Sequence, residues 1–354
     1  MSAIAFARAG PEDEAAIRAI LREVPLGGAW SVALAREPDG FGGPHLPGER
    51  QDFVIARDRV TGEAVGLCER VVRPAFVGGR VVDLPYLGAL RIRRSHRHRL
   101  SILKGGFAAL RDFERPGDFP QALTSITADN SPARRVLTAG LKSLPTYSPL
   151  AEFSTFAIRP RRMPRDPAIA PVTGEDLADF LRAGMARRDG APVWTRQTLA
   201  QLKDLRFLAL RRDGAIAGCI AVWDQRPTRQ AILADCPPLF RRLRGPMRLA
   251  SRLAGLPDIP RLDERIEQVF LSHLVTRDDD PALAVRLVRA GLGEAKDAGA
   301  AAALVGVPSA HSWRGAIRGA FRAIEYRTAL YGVAWGHTAE EIRPAHLFPE
   351  VALL

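Results

Sequence analysis

An internal repeat constrains this chain more than any other feature. Residues 53–70 read FVIARDRVTGEAVGLCER, and residues 206–223 read RFLALRRDGAIAGCIAVW. Each is an apolar run, a polar turn containing glycine and a second apolar run, the signature of a β-hairpin. Gly62 and Gly66 match Gly214 and Gly218, the first turn being the longer. The match continues downstream, where Tyr86-Leu87-Gly88-Ala89-Leu90-Arg91-Ile92-Arg93 parallels Phe270-Leu271-Ser272-His273-Leu274-Val275-Thr276-Arg277. Both runs are mostly apolar, as strands covered on both faces are.

Each run enters a helical pattern, SILKGGFAALRDF at 101–113 and PALAVRLVRAGLGEAKDAG at 281–299. Short strands follow at 122–128 and 302–308, then a further helix and a tyrosine-containing strand pair at 145–158 and 324–335. Both halves open on acidic-capped amphipathic helices, PEDEAAIRAIL (11–21) and GEDLADFLRAG (174–184). The order predicted for each half is β-α-β-β-β-α-β-α-β-β. This gives a first unit over 1–158, a linker over 159–167 (RPRRMPRDP), a second unit over 168–336 and a tail over 337–354. Residues 237–267 have no counterpart in the first half. They contain the basic, amphipathic run LFRRLRGPMRLASRLAGL, which reads either as a lid or surface for an anionic partner or as a solvated insertion packing its leucines on the domain.

With 354 residues, two units of ordinary size are expected. Cys68, Cys219 and Cys236 are too few and too scattered for a disulfide framework, and no CxxC or HExxH suggests a metal. No run approaches 18 apolar residues, so no membrane span is expected. The opening MSAIAFARAGPEDE resembles no leader peptide, and a cytoplasmic location is the expectation. The net charge of +12 hints at an anionic partner. Only Lys104, Lys142, Lys203 and Lys296 are lysine, and an arginine- and alanine-rich composition reflects a GC-rich genome as readily as a selected basic surface.

The element order, twice over, resembles a tandem protein of the GNAT acyltransferase superfamily. The resemblance covers about 1–158 and 168–336 and rests on element order and short motifs. It implies an α/β fold (α+β mixed sheet) of two tandem units, each a splayed mixed β-sheet flanked by helices. It further implies acetyl-CoA, or another acyl-CoA, as co-substrate held between the fourth and fifth strands, and transfer of the acyl group to a small-molecule or peptide amine. No metal is implied. The family's loop reads roughly Arg/Gln-x-x-Gly-x-Gly/Ala, and the helix after it offers free N–H groups to the pyrophosphate. Here the matching stretch carries Arg97, His98, Arg99, Leu100, Ser101 and Ile102, with Leu100 and Ile102 where small residues are usual. The main chain of Leu90, Arg91 and Ile92 falls on the strand that polarises the carbonyl. The second half has Asp278-Asp279-Asp280-Pro281 there. Three aspartates repel a pyrophosphate, and Asp280-Pro281 makes a good helix cap, so the second unit reads as degenerate.

The family's tyrosine acid follows an Asn-x-x-Ala-x-x-x-Tyr pattern. Asn130 and Ala133 match, but Leu137 replaces the tyrosine. Tyr147, then Tyr86, are the nearest substitutes, although a strand tyrosine is commonly a packed core residue. Asn130 reads as a helix cap, a cofactor contact, or both. Glu69 and Asp83, and His273 in the second half, are the candidate bases, each with a solvated or ion-paired alternative. Trp30, in a glycine- and proline-rich segment, lines an acceptor pocket or plugs the core. Two other functions compete. An aminoacyl-tRNA-dependent transferase of similar tandem fold fits the charge, but the basic runs lack interleaved aromatics. A catalytically inactive GNAT-fold binding protein fits the missing glycines and tyrosine.

Overall fold

The computed structural model describes residues 3–28, 30–43, 46, 49–202, 204–336 and 341–354. Of the tail read from the sequence, 337–340 lie outside the described residues, as do five positions of the segment around Trp30.

The first half runs β1 (Ile4–Arg8), α1 (Glu14–Glu23), β2 (Ser31–Ala35), β3 (Arg50–Asp58), β4 (Ala64–Val77), β5 (Arg80–Ile92), α2 (Leu100–Arg111), β6 (Ala122–Thr127), α3 (Ser131–Leu137) and β7 (Thr146–Ile158). The second runs β8 (Ile169–Pro171), α4 (Glu175–Met185), α5 (Arg196–Gln201), β9 (Leu205–Arg212), β10 (Ala215–Trp223), β11 (Gln230–Asp235), α6 (Pro238–Arg242) and α7 (Arg244–Leu253). It closes with β12 (Arg265–Ile266), β13 (Gln268–Thr276), α8 (Pro281–Asp297), β14 (Ala302–Pro308), α9 (Ser312–Ala320) and β15 (Ala323–Ala334).

The repeat read from the sequence is the repeat of the fold. β3–β4 and β9–β10 are antiparallel hairpins. Gly62 and Gly214 turn them with φ of +72° and +80°, a conformation that costs glycine nothing. Gly66 and Gly218 have a different role. A Cβ at Gly66 would meet the Arg91 carbonyl oxygen at 2.9 Å, and one at Gly218 would meet that of Val275 at 3.2 Å. Arg91 and Val275 are matched positions of the repeat, so both glycines make room for the same feature of the neighbouring strand.

The end of each half differs from the expected strand pair. Residues 145–158 and 324–335 each form one long strand, β7 and β15, bulged only between Leu330 and Tyr331. These two strands exchange places. The sheet order is β1-β3-β4-β5-β6-β15-β7-β14-β13-β10-β9-β8, so β15 lies between β6 and β7, and β7 between β15 and β14. Each half's sheet is completed by the other's last strand, and all twelve strands form one sheet. Central strands are buried on both faces: β4 has nine successive buried residues, Ala64 to Val72. Arg70 among them is paired with Asp118 at 2.6 Å. A second sheet, β12-β11-β2, joins the halves again through pairing of β11 with β2.

The 237–267 segment forms α6, α7 and β12. Most of its leucines do not pack on the domain. Leu239, Leu243, Leu249 and Leu253 are exposed, and within α6 and α7 only Ser251 is buried.

Candidate active site

The matched strands β5 and β13 carry the same irregularity. Ala89 has φ +48° and His273 φ +53°, both in the left-handed region that a residue with a Cβ enters only when its surroundings impose it. In β5 the register to β4 jumps from Glu69↔Gly88 to Leu67↔Arg91, and in β13 the register to β10 jumps between Cys219↔Val275 and Ala221↔Ser272. These are β-bulges, each inserting one residue and turning main-chain groups out of the ladder. Beside each bulge the sheet opens. β5 is parallel to β6 only at Tyr86↔Leu123 and Leu87↔Thr124, and β13 to β14 only from Gln268 to Phe270. Beyond those pairs each strand couple parts.

The two splays are furnished differently. After β5 a 3₁₀ turn over Arg94–His96 leads into α2, whose N-cap Arg99 makes no side-chain cap. Among the described residues nothing accepts from the main-chain N–H groups of Leu100 and Ser101. Arg94, Ser95, Arg97 and His98 around them are exposed, and Arg97 makes no ion pair among the described residues. None of residues 93–102 has a positive φ, so this loop reaches the helix without the glycines of the family pattern. A free, cationic helix N-terminus suits a pyrophosphate. In the second half Asp280 accepts from the N–H groups of Ala282 and Leu283 at 2.9 and 3.1 Å, and Pro281 has no N–H to offer. The bulge is occupied as well: Glu350 accepts from the His273 N–H at 2.8 Å. A carboxylate thus sits on the N–H that the repeat matches to Ala89.

The α1 face of β4 and β5 carries a charge cluster. The bulge shifts β5 by one residue, so that Arg91 shares a face with Gly88, Tyr86 and Glu69. Glu69 is buried, and Arg36 grips both its oxygens, at 3.0 and 2.6 Å, while Gln51 donates to one of them. Burial alone would raise the Glu69 carboxyl; the Arg36 charge and these hydrogen bonds outweigh it and hold the carboxyl below its usual range. Arg229, from the turn before β11, lies close enough to feel Arg36, Tyr86 and Glu69, and it donates to main-chain oxygens of Ala352 and Leu354 at 3.3 and 2.7 Å. The Tyr86 hydroxyl shares a 2.7 Å hydrogen bond with Ser125. Burial, against that bond, keeps the phenol protonated above its ordinary value.

The other sequence candidates scatter. Asp83 does not join the cleft: it lies exposed near the start of β5, 3.5 Å from Arg50 and five residues, roughly 16 Å of strand, before Gly88. His273 is in the second half's core, against the rings of Trp194, Phe207 and Trp223, and burial drives its pKa down to about 3, so it stays neutral. Tyr147 belongs to the α2 face, packed edge-on to Phe107 and Tyr331 in the cluster that includes Leu137, Leu87 and Ile126. Burial raises its pKa, and its hydroxyl makes no hydrogen bond to a described residue. Asn130 caps α3 by accepting from the Ala133 N–H at 3.3 Å. Trp30 neither plugs the core nor lines the cluster; it is 38% exposed and stacks edge-on with Phe240 of α6. Ile102 is buried in α2, against Ile4, Ala56 and Val65.

Solved structures share this architecture. Saccharomyces cerevisiae N-myristoyltransferase, solved with bound myristoyl-CoA and inhibitors, matches with a TM-score of 0.61 at 10% identity, over 97% of this chain and 82% of that one. A putative acetyltransferase from Pyrococcus horikoshii matches at 0.52 and 10% identity, over 98% and 94%. A GCN5-related N-acetyltransferase from Sphaerobacter thermophilus matches at 0.51 and 12% identity, over 94% and 96%. The chain has the GNAT fold, as two tandem units. No protein-family model matches the sequence, and no curated protein does.

Within this GNAT fold the sequence left three residues unmarked: Arg36, Arg229 and Glu350. Arg36 and Arg229 flank β2 and β11, and pairing of those strands, about 200 residues apart in sequence, brings them to Glu69. Glu350 acts from a tail without regular strand or helix pattern. A lone carboxylate among apolar residues in PEVALL is its only sequence signal.

Proposed function

We propose that this protein is an acyl-CoA-dependent N-acyltransferase whose first half binds the donor, with acetyl-CoA as the donor and an amine as the acceptor. One observation carries the reading. Two equivalent bulged splays exist, and among the described residues the chain's own groups fill the helix cap and the bulge N–H only in the second. The solved proteins of the same fold, one a GCN5-related N-acetyltransferase, one a putative acetyltransferase and one an N-myristoyltransferase holding myristoyl-CoA, support the reaction class.

In this scheme the pyrophosphate takes the N–H groups of Leu100 and Ser101, flanked by Arg97, His98 and Arg99. The pantetheine arm enters where β5 leaves β6. Main-chain N–H groups at the Ala89–Arg91 bulge polarise the thioester carbonyl. The neutral amine nitrogen attacks that carbon, the C–S bond breaks, Tyr147, protonated and unengaged, gives its proton to the departing thiolate, and the proton shed by the acylated nitrogen passes through water to restore the phenol. Both oxygens of Glu69 are already bound, so Glu69 orients Arg36 rather than taking the amine's proton.

Calorimetric titration of the whole chain with acetyl-CoA tests the reading. One site per chain is expected. Ser101→Glu should abolish binding yet keep or slightly raise Tm, because an acid in a first helical turn favours the helix by about 0.3–1 kcal/mol while repelling a phosphate. Absence of binding by the unaltered chain would remove the assignment.

A further inference from the structure

Three arginines are buried among the described residues: Arg70, Arg91 and Arg188. Arg70 is paired with Asp118 at 2.6 Å and Arg188 with Asp279 at 3.1 Å. Arg91, 7% exposed, has no carboxylate ion-pair partner among the described residues. One of its terminal nitrogens donates to the Leu90 carbonyl at 2.9 Å, and its buried Nε has no hydrogen-bond partner among the described residues. The nearby charges make the deficit worse. Arg36 and Arg229 each set a further guanidinium against it, and Glu69, the one nearby carboxylate that favours its charge, is already gripped by Arg36. A buried, uncompensated guanidinium is costly, and such a group is retained where something outside the chain completes it.

The geometry points to a carboxylate of the acceptor as that missing partner: we propose that Arg91 is the counter-ion for an amine that also carries a carboxylate, an amino acid being the simplest case. The inference rests on the acyltransferase reading and specifies its acceptor. Arg91 closes the bulge, one or two residues from its other members, so its Cα is within roughly 7 Å of the N–H groups proposed to hold the acyl carbonyl. An amine and a carboxylate on one small molecule span that interval. Gly88 adds no side chain between them: a Cβ there would crowd the Tyr86 ring at 3.1 Å and stand 3.7 Å from the Glu69 carboxylate. The pyrophosphate is a poorer partner, because its proposed seat is the exposed turn and helix start nine residues further on, whereas Arg91 points to the α1 face.

The test uses the product-like pair N-acetylglycine and N-methylacetamide, which differ only by the carboxylate. Each is titrated against the whole chain with CoA present at constant ionic strength, and Tm is read. N-acetylglycine should give a saturable rise and N-methylacetamide none. Arg91→Met should abolish the difference while leaving CoA affinity within threefold by calorimetry, and Arg91→Lys should keep part of it. The inference is overturned if the unaltered chain treats the two compounds alike, if Arg91→Met keeps the difference, or if Arg91→Met weakens CoA tenfold. Loss of CoA binding by the unaltered chain with the N-acetylglycine response intact would sink the donor assignment alone.

Discussion

Glu350→Gln should convert a pH-dependent stability into a flatter one. Burial pushes the Glu350 carboxyl from its ordinary 4.5 up to about 7, against hydrogen bonds from the His273 and Ala352 N–H groups and the Arg188 charge, which pull it down. The folded chain therefore binds this proton more tightly than the unfolded chain does. The stability it contributes is complete below about pH 4.5 and is lost as the pH rises through about 7. At about 1.4 kcal/mol per pH unit the interval sets a ceiling of roughly 3 kcal/mol. Glu350 is only half-buried, so solvent screening brings the expected change to ~1–2 kcal/mol. Glutamine cannot ionise, and its carbonyl can still accept from the His273 N–H. Urea unfolding of both proteins at pH 4.5, 6 and 8 reads the difference. The variant should gain ~1–2 kcal/mol on the unaltered chain between pH 4.5 and 8, most of it before pH 7. A difference that does not change with pH would show that the second splay holds Glu350 in an ordinary, solvated state and would refute the plugging argument.

Asp280→Ala removes the cap of α8 and should cost about 1 kcal/mol in urea unfolding without creating a second CoA site in calorimetry. Tyr147→Phe deletes a hydroxyl with no partner among the described residues. Its Tm should stay within about 2 °C, while kcat for acyl transfer, followed by thiol release, falls at least about tenfold with KM for the acceptor unchanged. An unaltered kcat would take Tyr147 out of the mechanism.

The duplicated hairpin was legible because its glycines answer to local demands. Gly62 and Gly214 supply positive φ, and Gly66 and Gly218 clear the neighbouring carbonyl. The exchange of β7 and β15 was not legible. Both strands read alike, and nothing within a strand's own residues says which of two equivalent neighbours it will join. The missing glycines of the loop after β5 have a backbone reason: glycines matter where φ is positive, and residues 93–102 never adopt it. Arg91 shows the sharper limit. The sequence marked it for its main chain, yet a one-residue bulge decides which face its side chain takes. The carboxylates divide the same way. Glu69, opposite Gly88, was placed on the central strands correctly, whereas Asp83, on the same strand as Gly88, falls outside the cleft because distance along a strand grows by about 3.3 Å per residue.

Amide hydrogen exchange with and without acetyl-CoA tests the central asymmetry most directly. The account predicts slowed exchange at residues 89–92 and 98–102, and none at the matched residues 273–276 and 282–286. Equal protection in both halves, or protection confined to the second, would contradict it.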